Sequence, residues 1–79
     1  MTKKLKVYSK PNCGACDYTK MWLDNHDIAY EAINAYEDAE AMELIQEKGF
    51  MGFPVVSVDN FTKAWAGLDM DGLEGLLDE

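Results

Sequence analysis

Apolar and polar positions along the first half of the chain follow two periods, which predict strands and a helix in turn. Leu5–Ser9 (LKVYS) combines β-branched and aromatic residues with partial alternation, which is typical of a strand. The segment KPN breaks this pattern, and from Cys13 to about His26 apolar side chains recur at helical spacing. Residues 28–34 (IAYEAIN) alternate again and predict a second strand.

The second half of the chain predicts another helix, a hairpin and a short closing helix. After Tyr36, the sequence EDAEAMELIQEKG places acidic residues first, apolar residues within and Gly49 at the end, as a helix dipole and a glycine stop favour. Residues 54–58 (PVVSV) and 61–67 (FTKAWAG) flank Asp59 and Asn60, two residue types that tolerate positive φ, and so predict a hairpin. Residues 70–79 (MDGLEGLLDE) predict a last helix, weakened by its two glycines.

These elements describe one α/β domain over residues 1–79, in the order β-α-β-α-β-β-α. The first strand, helix and strand fit a right-handed crossover, which makes their two strands parallel. The hairpin adds antiparallel strands, so we expect a four-stranded mixed sheet flanked by three helices. No repeat, linker or low-complexity segment divides the chain. We therefore expect a single-domain monomer.

Charge and hydropathy exclude several classes of partner. The net charge is −8, from 15 acidic and 7 basic residues. Binding to nucleic acid rests on clustered Lys and Arg, so neither nucleic acid nor an anionic membrane surface is expected as a partner. No apolar run approaches the roughly 18 residues of a membrane helix. The opening MTKKLKVYS has no apolar segment of a secretory signal, which favours a cytoplasmic protein.

Both cysteines of the chain lie in one stretch, SKPNCGACDYTKMWL, as Cys13 and Cys16. A structural zinc site needs four ligands, and the chain adds only His26, about a full helix away. A permanent disulfide at this spacing closes a very short ring, which removes little entropy from the unfolded chain. A reversible redox pair is therefore favoured over both alternatives.

The position of this pair between a strand and a helix supports redox chemistry. Cys13 is expected at the helix N-terminus, where unpaired N–H groups and the helix dipole stabilise a thiolate. Cys16 follows one turn later and is expected to be the more buried of the two. Lys10 adds a nearby positive charge, whereas Asp17 places a negative charge near the pair and opposes thiolate formation.

Pro54 in the segment GFPVV allows two interpretations. A proline at the start of a strand can be simple punctuation with a trans bond, because that position need not donate a hydrogen bond to the sheet. Alternatively, the Phe53–Pro54 bond is cis and faces the cysteines.

The segments VYSKPNCGAC, GFPVV and AWAGLDMDGL, in this order, resemble the glutaredoxins of the thioredoxin-fold superfamily. Within that family the chain looks most similar to the NrdH-redoxins, glutaredoxin-like electron donors to ribonucleotide reductase. The resemblance implies a thioredoxin-like, glutaredoxin-type fold and a dithiol–disulfide oxidoreductase. It implies Cys13 as the attacking thiol, Cys16 as the resolving thiol, and a cis Pro54 beside which the Phe53 backbone pairs with substrate.

The same resemblance implies partners and a source of electrons. The oxidised substrate would be ribonucleotide reductase or another disulfide-bearing protein. A thioredoxin-reductase-type flavoenzyme would recharge the pair, with no bound cofactor beyond the redox-active disulfide itself. The Gly14–Ala15 dipeptide departs from the family pattern, so the resemblance does not transfer a redox potential.

Glutathione is the alternative reductant. A glutathione site in this family uses a basic residue before the first cysteine, the backbone beside the cis-proline and a glycine-rich turn with an acid. The candidate substrate-binding residues are accordingly Lys10, Phe53, Pro54, Gly67 and Asp69. Asp69 can equally cap the last helix. Ala15 lacks the aromatic ring that this site expects, and Trp65 matches the glutathione-independent subgroup.

A third alternative is a non-catalytic module in which two chains share an iron–sulfur cluster through Cys13. Such a cluster needs four thiolates, which counts against this alternative. Other conspicuous side chains have structural interpretations. Trp22 is expected in the core and His26 at a helix end, while Trp65 is either core or partner-facing. The tyrosines Tyr8, Tyr30 and Tyr36 are assigned to strands and packing.

Overall fold

The computed structural model describes residues 4–78. Over this range it confirms the predicted order of seven elements. They are β1 (Leu5–Ser9), α1 (Gly14–Asn25), β2 (Glu31–Asn34), α2 (Ala39–Glu47), β3 (Val55–Val58), β4 (Lys63–Ala66) and α3 (Met70–Gly75). A turn of 3₁₀ helix, Leu76–Asp78, extends α3. The last residue of the predicted closing helix, Glu79, lies outside the described residues.

The strands form one mixed sheet in the order β2-β1-β3-β4. β1 and β2 are parallel, as the crossover predicts, and Ser9 pairs with Asn34. β3 is antiparallel to both β1 and β4. The thioredoxin-like fold class predicted from the sequence is therefore confirmed.

Two apolar layers cover the two faces of this sheet. Alternate side chains of β1 and β3 point to opposite faces, because the strand repeat is two residues. On one face α1 and α3 pack through Trp22, Leu23 and Leu73, which confirms Trp22 as a core residue. On the other face α2 packs through Ala41 and Ile45.

The second strand begins later than predicted, at Glu31 instead of residue 28. The reason lies at the C-terminus of α1. Asp27 has a φ of 56°, and the N–H of Ile28 donates to the carbonyl of Leu23 at 2.9 Å. This is a Schellman arrangement, in which the side chain after the left-handed residue also packs on the helix. Ile28 does so and is thereby removed from the strand.

The hairpin between β3 and β4 is also wider than predicted. Val58 pairs with Lys63, so the connection contains four residues, 59–62, and not two. Asp59, Asn60 and Phe61 have φ values of 50°, 56° and 65°. The N–H of Phe61 donates to Ser57 Oγ at 2.9 Å, which holds Phe61 in the turn and out of β4.

The predicted termini of α2 are confirmed. Asp38 is the N-cap, and its Oδ1 accepts from the N–H of Ala41 at 3.1 Å. Gly49 follows the last turn with a φ of 85°, a left-handed conformation that glycine adopts without the steric cost of a Cβ. The N–H of Phe50 then donates to the carbonyl of Ile45 at 3.1 Å, which closes the helix.

Candidate functional site

Residues at one end of the sheet form a row from which the candidate site is built. Ser9 ends β1 and pairs with Asn34 at the end of β2. Because Tyr8 pairs with Val55, the register places Pro54 next to Ser9 on the other side. The row ends at Gly67, whose N–H donates to the carbonyl of Pro54 at 2.8 Å. The residues that the sequence predicted for the site lie in this row, in the loops that leave it, or, for Cys16, in the first turn of α1.

The cysteine pair lies at the start of α1, as predicted. A short loop leads from Ser9 to Asn12, whose φ of 57° turns the chain into the helix. Cys13 is the N-cap and forms a disulfide with Cys16, with Cα atoms 5.2 Å apart. Its Sγ accepts from the N–H of Cys16 at 3.2 Å. Cys13 is 8% exposed and Cys16 only 1%, which agrees with the expected order of burial.

Two charged side chains flank the pair. Lys10 is exposed in the loop before Cys13. Asp17, in the first turn of α1, is 80% exposed and lies 3.9 Å from Lys20 Nζ. Solvent and Lys20 both screen the Asp17 carboxylate, so its opposition to a thiolate at Cys13 is weaker than its sequence position indicates.

The peptide bond between Phe53 and Pro54 is cis, which confirms this part of the second interpretation and excludes the trans bond of the first. Pro54 is buried just before β3, while Phe53 remains half-buried at the rim. The ring of Tyr36 contacts the Phe53 ring edge-on, with centroids 6.1 Å apart. The role of Phe53 and Pro54 in binding substrate stays a prediction.

The loop after β4 contributes the last two candidate residues. Gly67 has a φ of 85°, a conformation that favours glycine, and its N–H donates to the carbonyl of Pro54. Asp69 is the N-cap of α3, and its Oδ1 accepts from the N–H of Gly72 at 3.0 Å. The capping interpretation of Asp69 is thus confirmed, and binding of a ligand by its second oxygen stays a prediction.

Exposed apolar side chains around the row were not predicted. Tyr36 was assigned to strands and packing, but it lies beyond β2 and is 61% exposed, and its ring packs only edge-on against Phe53. Met51, before Phe53, is 97% exposed, and Leu68, after Gly67, is 49% exposed. All three lie in loops that leave the sheet at the row. Their proximity in sequence to the ends of strands was the signal that could have identified them.

Trp65 lies beneath this surface and not on it. It is half-buried and packs against the layer formed by α1 and α3, which favours the core interpretation. Its Nε1 is buried without a hydrogen-bond partner among the described residues. The Gly72 backbone approaches the ring so closely that a Cβ there would lie 2.9 Å from Trp65 Cδ2.

Metal-ligating residues are dispersed in the described part of the chain. No group of three or more His, Cys, Asp or Glu side chains among residues 4–78 could hold a metal ion. His26 caps the far end of α1 from Cys13, and its ring contacts that of Trp22 at a tilt of 38°, with ring centroids 4.1 Å apart. Within the same residues, no helix has the length and apolar character needed to cross a membrane.

Comparison with known proteins agrees with this geometry. The Glutaredoxin family profile matches residues 5–61. The glutaredoxin-like protein NrdH of Lactococcus lactis is 46% identical over 55 residues, which cover 70% of this chain and 76% of that protein. The protein of the same name from Escherichia coli is 29% identical, over 92% of this chain and 88% of that protein.

A solved structure of the E. coli NrdH-redoxin superposes with a TM-score of 0.87 at 29% identity, over 92% of this chain and 93% of that one. That protein is described as glutaredoxin-like with a thioredoxin-like activity profile. The profile match spans more than half of the chain, and the loop with the cysteine pair lies within it. This chain therefore belongs to the glutaredoxin family and, like its NrdH relatives, is a thiol–disulfide oxidoreductase.

Proposed function

We propose that the protein reduces disulfides in other proteins through attack by Cys13, and that Cys16 resolves the product. The main support for this assignment is that the two cysteines differ in their position on the helix and in their exposure. Cys13 is the N-cap and the more exposed cysteine, and a backbone N–H already points at its Sγ. Thiolates are the attacking species in disulfide exchange, and helix N-termini favour them.

The exchange proceeds in two displacements. The Cys13 thiolate attacks one sulfur of the substrate disulfide, and the other sulfur leaves as a thiolate that takes up a proton. Cys16 then loses its proton and attacks Cys13 Sγ in the mixed disulfide. The second substrate thiolate leaves, and the Cys13–Cys16 disulfide forms. Two electrons have passed to the substrate, and the pair must be reduced before the next cycle.

The row at the end of the sheet provides the surface for this encounter. An extended substrate segment would pair with the Phe53 backbone beside Pro54, in the manner of a strand added at an edge. Tyr36 and Met51 line a pocket with Phe53, and the exposed Leu68 lies in another loop of the same row, so these side chains offer apolar contact. Lys10, exposed in the loop before Cys13, would add a positive charge beside the Cys13 thiolate and the substrate.

The likeness to NrdH-redoxins supports ribonucleotide reductase as the substrate and a thioredoxin-reductase-type flavoenzyme as the source of electrons. It also supports a cytoplasmic location, where such a reductase works. Glutathione is the competing reductant, because Lys10, Gly67 and Asp69 lie in loops of the same row. The commitment of one Asp69 oxygen to Gly72 counts against it.

A direct comparison of the two reductants tests the proposal. The oxidised protein is mixed with NADPH and a thioredoxin-reductase-type enzyme, or with glutathione, NADPH and glutathione reductase, and NADPH consumption is followed. We expect rapid turnover only in the first mixture, sustained when oxidised ribonucleotide reductase is added. Turnover with glutathione alone would assign the glutathione-dependent activity instead. The Cys13→Ser variant is the control for direct reduction of the substrate.

A further inference from the structure

An acidic groove lies on the face of the sheet that α2 covers, between that helix and the strands β1 and β2. Its volume is about 520 Å³. Carboxylates from the edge strand and from the helix line it, and these are Glu31, Asp38, Glu40, Glu43 and Glu47. Lys6, which is opposite Glu31 in the sheet register, is the one basic residue among the lining residues. The groove therefore has a strong excess of negative charge.

The Tyr8 side chain also lines the groove and sets it apart from an ordinary solvated acidic face. Tyr8 is only 3% exposed, and its ring stacks on Phe61 at a centroid distance of 5.9 Å. Its hydroxyl forms no hydrogen bond with the residues that the structure describes. Burial raises the pKa of Tyr8, and the charges of Glu31 and Asp38 raise it further, so the hydroxyl is neutral at physiological pH. The hydroxyl oxygen is not among the buried polar atoms that lack a partner, so it reaches the water of the groove and can accept a hydrogen bond there.

The spread of the carboxylates determines which kind of cation fits. Asp38 caps the first turn of α2 and Glu47 is its last residue, so the acidic side chains extend over about 14 Å at the helical rise. They form no cluster able to hold a metal ion within residues 4–78. A chain with successive cationic side chains matches this linear distribution.

The groove also opens near the candidate site. Asp38 follows the end of β2 that carries Asn34, so this end of the groove lies at the row of strand ends. We propose that the groove binds a lysine- or arginine-bearing segment of the disulfide-bearing partner, with the Tyr8 hydroxyl accepting a hydrogen bond from one cationic group. This inference rests on the proposed function for its choice of partner. The groove then selects disulfides that have basic residues nearby.

Binding is tested first without any thiol chemistry. A fluorescein-labelled pentalysine peptide with blocked ends is titrated with the Cys13→Ser/Cys16→Ser protein, and anisotropy is measured at low and at physiological salt. Added to this background, Glu43→Gln/Glu47→Gln should weaken binding about tenfold, and Tyr8→Phe about threefold or more. The matched control is Asp27→Asn/Glu74→Gln, which removes the same charge from exposed positions outside the groove. It should weaken binding less than twofold.

Equal weakening by the groove and control variants would show that the peptide responds only to the net charge of −8, and would overturn the proposal. An unchanged affinity in Tyr8→Phe would overturn it as well. Spermidine is titrated in parallel as a competitor. If spermidine displaces the peptide at an equal concentration of positive charge, the groove binds a small polyamine. The proposal of a protein partner for the groove would then be wrong.

Turnover separates this inference from the proposed function. Two peptide disulfides, one flanked by lysines and the other by glutamines, are reduced by the wild type and by Glu43→Gln/Glu47→Gln. We expect the wild type to prefer the lysine-flanked disulfide and the variant to lose only that preference. Equal rates for both peptides with the wild type would refute the groove while leaving disulfide reduction intact. Failure to reduce either peptide would refute the proposed function.

Discussion

The backbone N–H of Cys16 donates a hydrogen bond to Cys13 Sγ at 3.2 Å. One residue therefore positions a donor for the sulfur of the other, and the helix start places Cys13 at the N-cap, where it is 8% exposed. Cys16 lies within the first turn of α1 and not at its N-cap, and it is only 1% exposed. Its Sγ therefore does not share the position of Cys13 Sγ. This asymmetry within one turn of helix predicts different consequences for the two cysteine substitutions.

Cys13→Ser is expected to abolish reduction of protein disulfides, because the more accessible thiolate, which begins the exchange, is lost. Cys16→Ser should leave attack intact and accumulate mixed disulfides that nothing resolves. Incubation of each variant with an activated disulfide resin, followed by mass spectrometry of the retained protein, measures this difference. Comparable trapping by both variants would remove the assignment of roles.

Gly72→Ala is expected to destabilise the fold. The new Cβ would lie 2.9 Å from two carbons of the Trp65 ring, which is held by the core around it. Overpacking of this kind costs about 1–3 kcal/mol, more than the helical gain of about 0.5–1 kcal/mol from replacing glycine. Urea unfolding gives the change in the free energy of unfolding.

Gly75→Ala is the matched control in the same helix. Its Cβ would meet only Lys63 Nζ, at 3.8 Å, so the change should be neutral or stabilise by about 0.5 kcal/mol. If both alanine variants have the same stability, the contact between Gly72 and Trp65 does not limit the packing of α3.

Asp69 separates a structural role from glutathione binding. Asp69→Ala removes the oxygen that accepts from Gly72 N–H and should cost about 0.5–2 kcal/mol of stability. Asp69→Asn keeps the cap without the charge, so its stability should match the wild type. Reduction by glutathione is then compared between the wild type and Asp69→Asn. An equal rate agrees with capping alone, and a selective loss would assign the carboxylate to the ligand.

The pKa of Tyr8 predicts how stability depends on alkaline pH. Burial and the charges of Glu31 and Asp38 raise this pKa above its usual value of 10.0. Below that value the hydroxyl is protonated in both the folded and the unfolded chain. As the pH rises above it, only the unfolded chain ionises freely, so the folded state loses stability.

Tyr8→Phe should therefore flatten the decline in stability above about pH 10, because the ionising group is absent. Urea midpoints at a series of pH values measure the slope. Tyr18→Phe, a substitution at an exposed tyrosine of α1, is the control. A decline as steep in Tyr8→Phe as in the wild type would contradict the inferred environment of Tyr8.

Features that depend on local sequence were predictable, and those that depend on distant contacts were not. The break before Cys13 and the glycine at position 49 are local signals. The start of α1 and the end of α2 formed as these signals predicted. The late start of β2 requires Asp27 in a left-handed conformation, which is maintained by Ile28 packing on the core. The four-residue turn requires Ser57 Oγ, a buried hydroxyl of β3, to accept from Phe61.

The features of the candidate site also divide into those that local sequence predicts and those that depend on distant contacts. The cysteines, Pro54 and the cap at Asp69 follow from residue type and position along the chain. The exposure of Tyr36 and the groove over Tyr8 follow from where α2 lies on the sheet, which no local pattern specifies. The sequence assigned Tyr8 to a strand and to packing, but gave no sign that carboxylates of other elements line the groove beside it.

The row formed by Asn34, Ser9, Pro54 and Gly67 has a consequence for how such a protein can diversify. If a strand gains or loses one residue, its side chains move to the opposite face of the sheet. Insertions and deletions within these strands are therefore not tolerated. The loops beyond the row carry no such constraint. Segments of different length and composition can be exchanged there between relatives, one loop at a time. New substrate preferences can then arise by loop grafting on an unchanged sheet, with the dithiol left in place.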